Sequence, residues 1–112
     1  MIILKWSPLS TQHIYWFFRN SFYMKKEWKE TKKRYIQELS EQYKNWVIEW
    51  DLELYIWLYF WDKRRRDLDK YNKIILDSMI WIVYEDDCQI KKLTLEKFYD
   101  KESPRVEINI IR

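Results

Sequence analysis

The chain contains no glycine and no alanine, yet it carries 8 tryptophans in 112 residues. An average sequence of this length would hold roughly 8 glycines. Glycine is the residue that takes a positive φ without steric cost, so every tight turn here must be built from residues that resist one.

The apolar pattern supplies the elements. Asp51 to Trp61 alternates strictly, with Leu52, Leu54, Ile56, Leu58 and Phe60 on one side and Glu53, Tyr55, Trp57 and Tyr59 on the other. That period of two predicts a strand covered in part on both faces. Lys25 to Trp46 changes period, with Trp28, Tyr35, Ile36, Leu39, Tyr43 and Trp46 spaced by threes and fours, which predicts an amphipathic helix. A second helix is expected over 68–82, burying Tyr71, Ile75, Leu76, Met79 and Ile82, with Glu85, Asp86 and Asp87 at its end. Ile2 to Trp6, Ile90 to Phe98 and Val106 to Ile110 predict three further strands, and Trp6 leads into a loop running to about Met24. The expected order is β-α-β-α-β-β: a mixed α/β (α+β) fold with one small sheet of about four strands and two helices, forming a single domain over residues 1–112.

Composition narrows the function classes. Hydrophobic residues at 47% and charged residues at 35% give both a core and a solvated surface, which excludes a disordered chain. The longest apolar run, Leu54 to Trp61, has 8 residues, far below the roughly 20 of a spanning helix, and no charged-then-apolar leader opens the sequence. A soluble, cytoplasmic protein without a membrane partner is the expectation. The single cysteine, Cys88, forms no internal disulfide and reads as a small buried side chain. His13 has no companion His, Cys or well-spaced carboxylate, and Ser7, Ser10 and Thr11 lie in no phosphate-loop or nucleophile pattern.

One stretch gathers charge of both signs. Lys63, Arg64, Arg65 and Arg66 precede Asp67 and Asp69; Lys73 and Asp77 continue the series at intervals of four, and Asp86 and Asp87 follow after the second helix. Carboxylates converging near the end of a strand make an oxygen-ligand site for a hard cation such as Mg²⁺, and a basic run beside them suits a phosphodiester backbone. Asp69, Lys73 and Asp77 are equally an ordinary ion-pair ladder on a helix face, and Asp86 and Asp87 equally ordinary turn residues.

The order of these residues resembles the RusA family of Holliday-junction resolvases. The family pattern, Asp-x-Asp-Asn-x-x-Lys-x-x-x-Asp-Ala-Leu and then Asp-Asp-Ser-Gln, is matched by Asp67 to Met79 and by Asp86 to Gln89. The segments from Pro8 to Tyr15, from Lys97 to Tyr99 and from Pro104 to Ile108 are similar to other parts of the family. The resemblance implies a homodimeric, Mg²⁺-dependent endonuclease, with Mn²⁺ as a substitute ion, acting on branched double-stranded DNA by paired symmetric nicks in a bacterial or phage-infected cell. It makes Asp67, Asp69 and Asp87 the metal-binding carboxylates and Lys73 the catalytic lysine, with Asp86 and Asp77 in support. Lys63, Arg64, Arg65, Arg66 and Lys70 become the DNA-facing cations. Lys70 departs from the pattern, which has Asn there, and so opens the alternative of a catalytically inactive junction-binding or DNA-binding dimer of the same fold. Trp81, Trp61, Trp6, Trp16 and Trp28 stand where the pattern suggests glycine. The hypothesis that follows is that some or all of the 8 tryptophans are UGA codons read as glycine in the source, and it expects Trp side chains to crowd into turns.

Overall fold

The computed structural model describes residues 1–5 and 21–112, with side chains described from Trp28 onward in the second stretch. Pro8 to Tyr15 and His13 lie outside the described residues, as do Ser7, Ser10, Thr11, Trp6 and Trp16. The elements run β1 (Ile2–Leu4), α1 (Ser21–Gln42), β2 (Leu52–Phe60), α2 (Asn72–Met79), β3 (Ile90–Tyr99) and β4 (Arg105–Ile111), with short 3₁₀ turns at Leu68–Lys70 and Asp87–Gln89. This is the expected β-α-β-α-β-β order.

The four strands form one mixed sheet in the order β1-β4-β2-β3. β2 pairs in parallel with β3, setting Leu52 beside Ile90 and Phe60 beside Tyr99, and antiparallel with β4, setting Ile56 opposite Ile108. β1 closes the other edge antiparallel to β4. The parallel pair requires a crossover, which α2 supplies.

The alternation of β2 has its direct outcome here: Leu52, Leu54, Ile56, Leu58 and Phe60 are buried without exception, while Glu53, Tyr55, Trp57 and Tyr59 are half-buried. Tyr35 and Leu39 of α1 and Ile74, Ile75 and Met79 of α2 join the buried side in one core. The opposite side is shielded by its own long side chains. The Arg105 guanidinium sits 3.9 Å over the Tyr59 ring, Tyr59 stacks on Phe98 at 5.1 Å, and the Trp57 indole donates to Glu96 Oε1 at 3.1 Å.

Several boundaries differ from expectation. α1 begins at Ser21, inside the stretch expected to be loop, and stops at Gln42 instead of Trp46. Phe22, Tyr23 and Met24 lack the polar spacing that marks a helix face, yet contain nothing that forbids helix. At the other end Gln42 leaves the helical series for the edge of the sheet: Ile3 N–H donates to its Oε1 and its Nε2 donates to Ile3 O, both at 2.7 Å. The side-chain amide thus stands in for a neighbouring strand along β1. Trp46 is 92% exposed and Ile36 is exposed, so neither belongs to the buried stripe.

The second helix is shorter than the expected 68–82. Its α-helical part is Asn72–Met79, and its buried residues are Ile74, Ile75, Ser78 and Met79, with Tyr71, Leu76 and Ile82 only partly buried. Ser78 has no place in the expected apolar stripe; its hydroxyl donates to Ile74 O at 2.6 Å, which removes the cost of burying it. The helix stops because Ile80 is extended (φ −62°, ψ 130°) and Trp81 takes a φ of 66°. With Ile82 N–H donating to Met79 O at 3.1 Å, Met79 to Ile82 is a type II turn. β3 and β4 each extend a residue or two beyond the expected 90–98 and 106–110.

Candidate functional site

The acidic and basic stretch unfolds along the α2 crossover. Phe60 ends β2, and the chain then turns through Asp62. The Asp62 carboxylate accepts from Arg64 N–H at 3.0 Å and from the Arg66 guanidinium at 2.7 Å, which holds it below the usual carboxylate range, the Arg66 hydrogen bond being the larger cause. Arg66 does not face outward with its neighbours. Its side chain is 6% exposed, lying 4.4 Å from the Phe60 ring and 4.7 Å from the Trp61 ring, and it ties the β2 exit together. Lys63, Arg64 and Arg65 are the exposed cations of the run, with Lys63 Nζ 5.3 Å over the Tyr99 ring. Lys97 reaches across from β3 to donate to Arg66 O at 3.0 Å, fixing the loop against the sheet edge.

Asp67 is the extended residue before the first 3₁₀ turn and Asp69 lies within that turn; both are exposed. Lys70, the departure from the family pattern, places its ammonium 3.3 Å from Asp67 Oδ2. Asp69 precedes the helix, so the expected Asp69, Lys73 and Asp77 series is not one helix face. Only Lys73 and Asp77 share α2, paired at 3.3 Å. That contact is the ion pair of the plainer reading.

Beyond the type II turn the chain returns to the sheet. Trp81 N–H donates to Tyr84 O, and Ile48 N–H to Val83 O at 2.7 Å, which fastens this return to the segment entering β2. Asp86 and Gln89 then form a reciprocal capping box on the second 3₁₀ turn. Gln89 saturates its amide: Oε1 accepts from Glu85 N–H at 2.8 Å and Asp86 N–H at 2.9 Å, while Nε2 donates to Ile48 O at 2.7 Å and Trp50 O at 3.0 Å. The wholly buried Tyr84 ends in a hydroxyl 2.7 Å from Leu76 O and 3.1 Å from Asp87 Oδ1. Burial, and then the Asp87 charge, push this hydroxyl far above the ordinary phenol range, so it stays a proton donor. Cys88, expected to be buried, is exposed; its thiol lies 3.5 Å from Asp86 Oδ2, and that hydrogen bond pushes its pKa up. Sequence reasoning gives Tyr84 and Gln89 no role, although their spacing from Asp87, three before and two after, is the signal that could mark them.

The structure sets Asp87 against the Tyr84 hydroxyl, whose pKa the charges of Asp77 and Asp86 also raise. It places Asp67 and Asp69 at the start of α2 and Asp87 beyond its end, just before β3. Among the described residues no three His, Cys, Asp or Glu side chains are gathered closely enough to hold a metal ion. The donor chemistry, all carboxylate oxygen, is that of a hard-cation site.

Comparison with known proteins gives a family. The family model described as endodeoxyribonuclease RusA matches residues 6–111. Nucleases of that family generally depend on a divalent metal. A stretch of 44 residues is 43% identical to the uncharacterized protein YqaN of Bacillus subtilis (strain 168), covering 39% of this chain and 30% of that protein. No helix among the described residues is long and apolar enough to cross a membrane. With a match that runs through every strand from β2 onward and both helices, the chain belongs to the RusA family of endodeoxyribonucleases.

Proposed function

We propose that this protein is a Holliday-junction resolvase: a homodimer that binds branched double-stranded DNA and nicks two strands of a four-way junction symmetrically, with Mg²⁺ or Mn²⁺ as the metal. The observation that carries the reading is the family match over residues 6–111; Asp67, Asp69, Lys73 and Asp87 enter through their resemblance to the family pattern. A two-fold dimer suits a junction because it sets identical sites on two equivalent strands. In this reading Asp67, Asp69 and Asp87 are the cation ligands, supported by Asp77 and Asp86. Lys73, 48% exposed, is released from Asp77 to offset charge on the scissile phosphate. Lys63, Arg64, Arg65 and Lys70 face the DNA backbone, whereas Arg66 acts by holding the loop that presents them. Recombination, repair or phage DNA processing in the bacterial cytoplasm is the setting.

Lys70 favours a second reading. Its contact with Asp67 sets a cation against a carboxylate that the ion needs, as in an inactive dimer that binds junctions without cutting them. A synthetic four-way junction separates the two. The resolvase yields paired nicks with Mg²⁺ that vanish in Asp69→Asn; the binding protein retains the junction equally with Mg²⁺ or chelator and cuts in neither.

A further inference from the structure

We propose that Tyr84 is a positioning residue for Asp87, an inference that rests on the reading of Asp87 as part of the nuclease site. Tyr84 is buried in the core, in bridge contact with Ile48 and Ile80, and its hydroxyl stands between the α2 carbonyl of Leu76 and Asp87 Oδ1. Asp87 itself sits on a single 3₁₀ turn, a weak support for a side chain that must hold one direction. Tyr84 gives it a reference in the rigid part of the molecule. Buried partners of this kind, when removed, typically cost tenfold or more in metal affinity or activity.

The test is Tyr84→Phe beside Ser78→Ala, which deletes another buried hydrogen bond of α2 but touches no carboxylate. Tyr84→Phe is expected to lower kcat for junction nicking on the order of tenfold with KM for the junction unchanged, and to move the Asp87 carboxyl ¹³C resonance in metal-free protein. Ser78→Ala should do neither. Should Tyr84→Phe fail to fold, the unaltered protein answers through its protected Tyr84 hydroxyl proton, whose resonance must move in Asp87→Asn. A nicking-competent Asp87→Asn overturns the site reading. An inactive Asp87→Asn with wild-type kcat and an unmoved Asp87 signal in Tyr84→Phe overturns the positioning role alone.

A second observation stands apart from catalysis. Position 81 is the third residue of a type II turn, the place that demands positive φ and is ordinarily glycine. Trp81 is the one non-glycine residue with positive φ among those described, and it projects 68% exposed. Trp46, Trp50 and Trp61 also lie between elements, 92%, 57% and 47% exposed, in a chain with no glycine at all. Tryptophan is ordinarily a highly buried side chain. We infer that the protein made by its source carries glycine at position 81, the codon there being UGA read as glycine. Trp57, whose indole is held by Glu96 within β2, and Trp28, which packs on the core from α1, lie in regular elements and not in turns as expected, and are not part of the inference. Trypsin releases residues 74–91 as one peptide holding a single Trp position. Its mass spectrum from protein isolated from the source should show glycine at 81, and tryptophan there overturns the inference.

Discussion

Replacing Gln89 with alanine should loosen the acidic turn from the sheet, and the cost can be worked from its four hydrogen bonds. Two are accepted from Glu85 and Asp86 N–H and two are donated to Ile48 O and Trp50 O. A bond of this type contributes about 0.5–1.5 kcal/mol net. The groups at Glu85, Asp86 and Trp50 regain water when the amide is removed, so those three fall at the low end. Ile48 is 1% exposed, and its carbonyl loses a partner in a partly buried place, at the high end. The sum is roughly 3 kcal/mol, or on the order of 10 °C in Tm for a domain of this size. Gln89→Glu keeps the two accepted bonds but turns a carboxylate toward two carbonyls, so it should lose at least as much. Urea unfolding followed by circular dichroism measures both. A shift in midpoint at unchanged m is expected; a loss below about 0.5 kcal/mol, within the range of an ordinary surface change, would refute the reasoning.

Other consequences are equally direct. Trp81→Gly relieves a left-handed L-residue, worth about 1–2 kcal/mol, against roughly 0.5–1 kcal/mol of added chain entropy, for a net gain near 0.5–1 kcal/mol in urea unfolding; a loss would show that the turn does not strain Trp81. Asp62 and Asp100 are both held below the usual carboxylate range, chiefly by the side-chain hydrogen bonds from Arg66 and Arg105. Their contribution is therefore present above the ordinary carboxylate pKa and lost as pH falls through the depressed one. The Asp62→Asn, Asp100→Asn double variant should show a smaller loss of Tm below about pH 4 than the parent, and an identical acid limb would exclude these pairs. Arg66→Ala removes a cation stacked between Phe60 and Trp61 and should cost about 1–2 kcal/mol. Lys63→Ala should instead leave stability within about 0.5 kcal/mol while weakening junction binding in a salt-dependent way.

Where the sequence is legible, a single physical rule dominates. In β2 the period of two and the burial of alternate residues are the same fact, so the alternation alone assigns Leu52, Leu54, Ile56, Leu58 and Phe60 to the core. The helices are harder. α1 extends back through Phe22, Tyr23 and Met24, where periodicity is silent, and it ends at Gln42 because of a contact with Ile3, 39 residues away. α2 buries the two-wide stripe Ile74, Ile75, Ser78 and Met79, and a serine inside it is invisible to a hydrophobic pattern until its hydroxyl finds Ile74 O.

The candidate site divides along the same line. The carboxylates and Lys73 are legible as an ordered series, whereas the turn at position 81 is suggested only by the family pattern, since apolar periodicity carries the second helix on to 82. Arg66 reads as one of the basic run because spacing cannot distinguish a solvated guanidinium from one drawn between Phe60 and Trp61. Asp69 reads onto a helix face only if the α-helix starts at 68, four residues ahead of its true beginning at Asn72. Tyr84 and Gln89 differ: Gln89 is legible as the last residue of the Asp86 to Gln89 match, but what it holds, Ile48 O and Trp50 O, lies far along the chain, and the part of Tyr84 shows only once its hydroxyl meets Leu76 O and Asp87 Oδ1.

The central claim, that the ordered carboxylates make this chain a metal-dependent junction nuclease, is tested most directly by nicking of a synthetic four-way DNA junction with and without Mg²⁺, using the parent and Asp69→Asn. The account predicts paired, symmetric nicks from the parent in Mg²⁺ only, with junction binding retained and cutting lost in Asp69→Asn. Binding that is indifferent to Mg²⁺ and never followed by a nick, or nicking that survives Asp69→Asn, would contradict it.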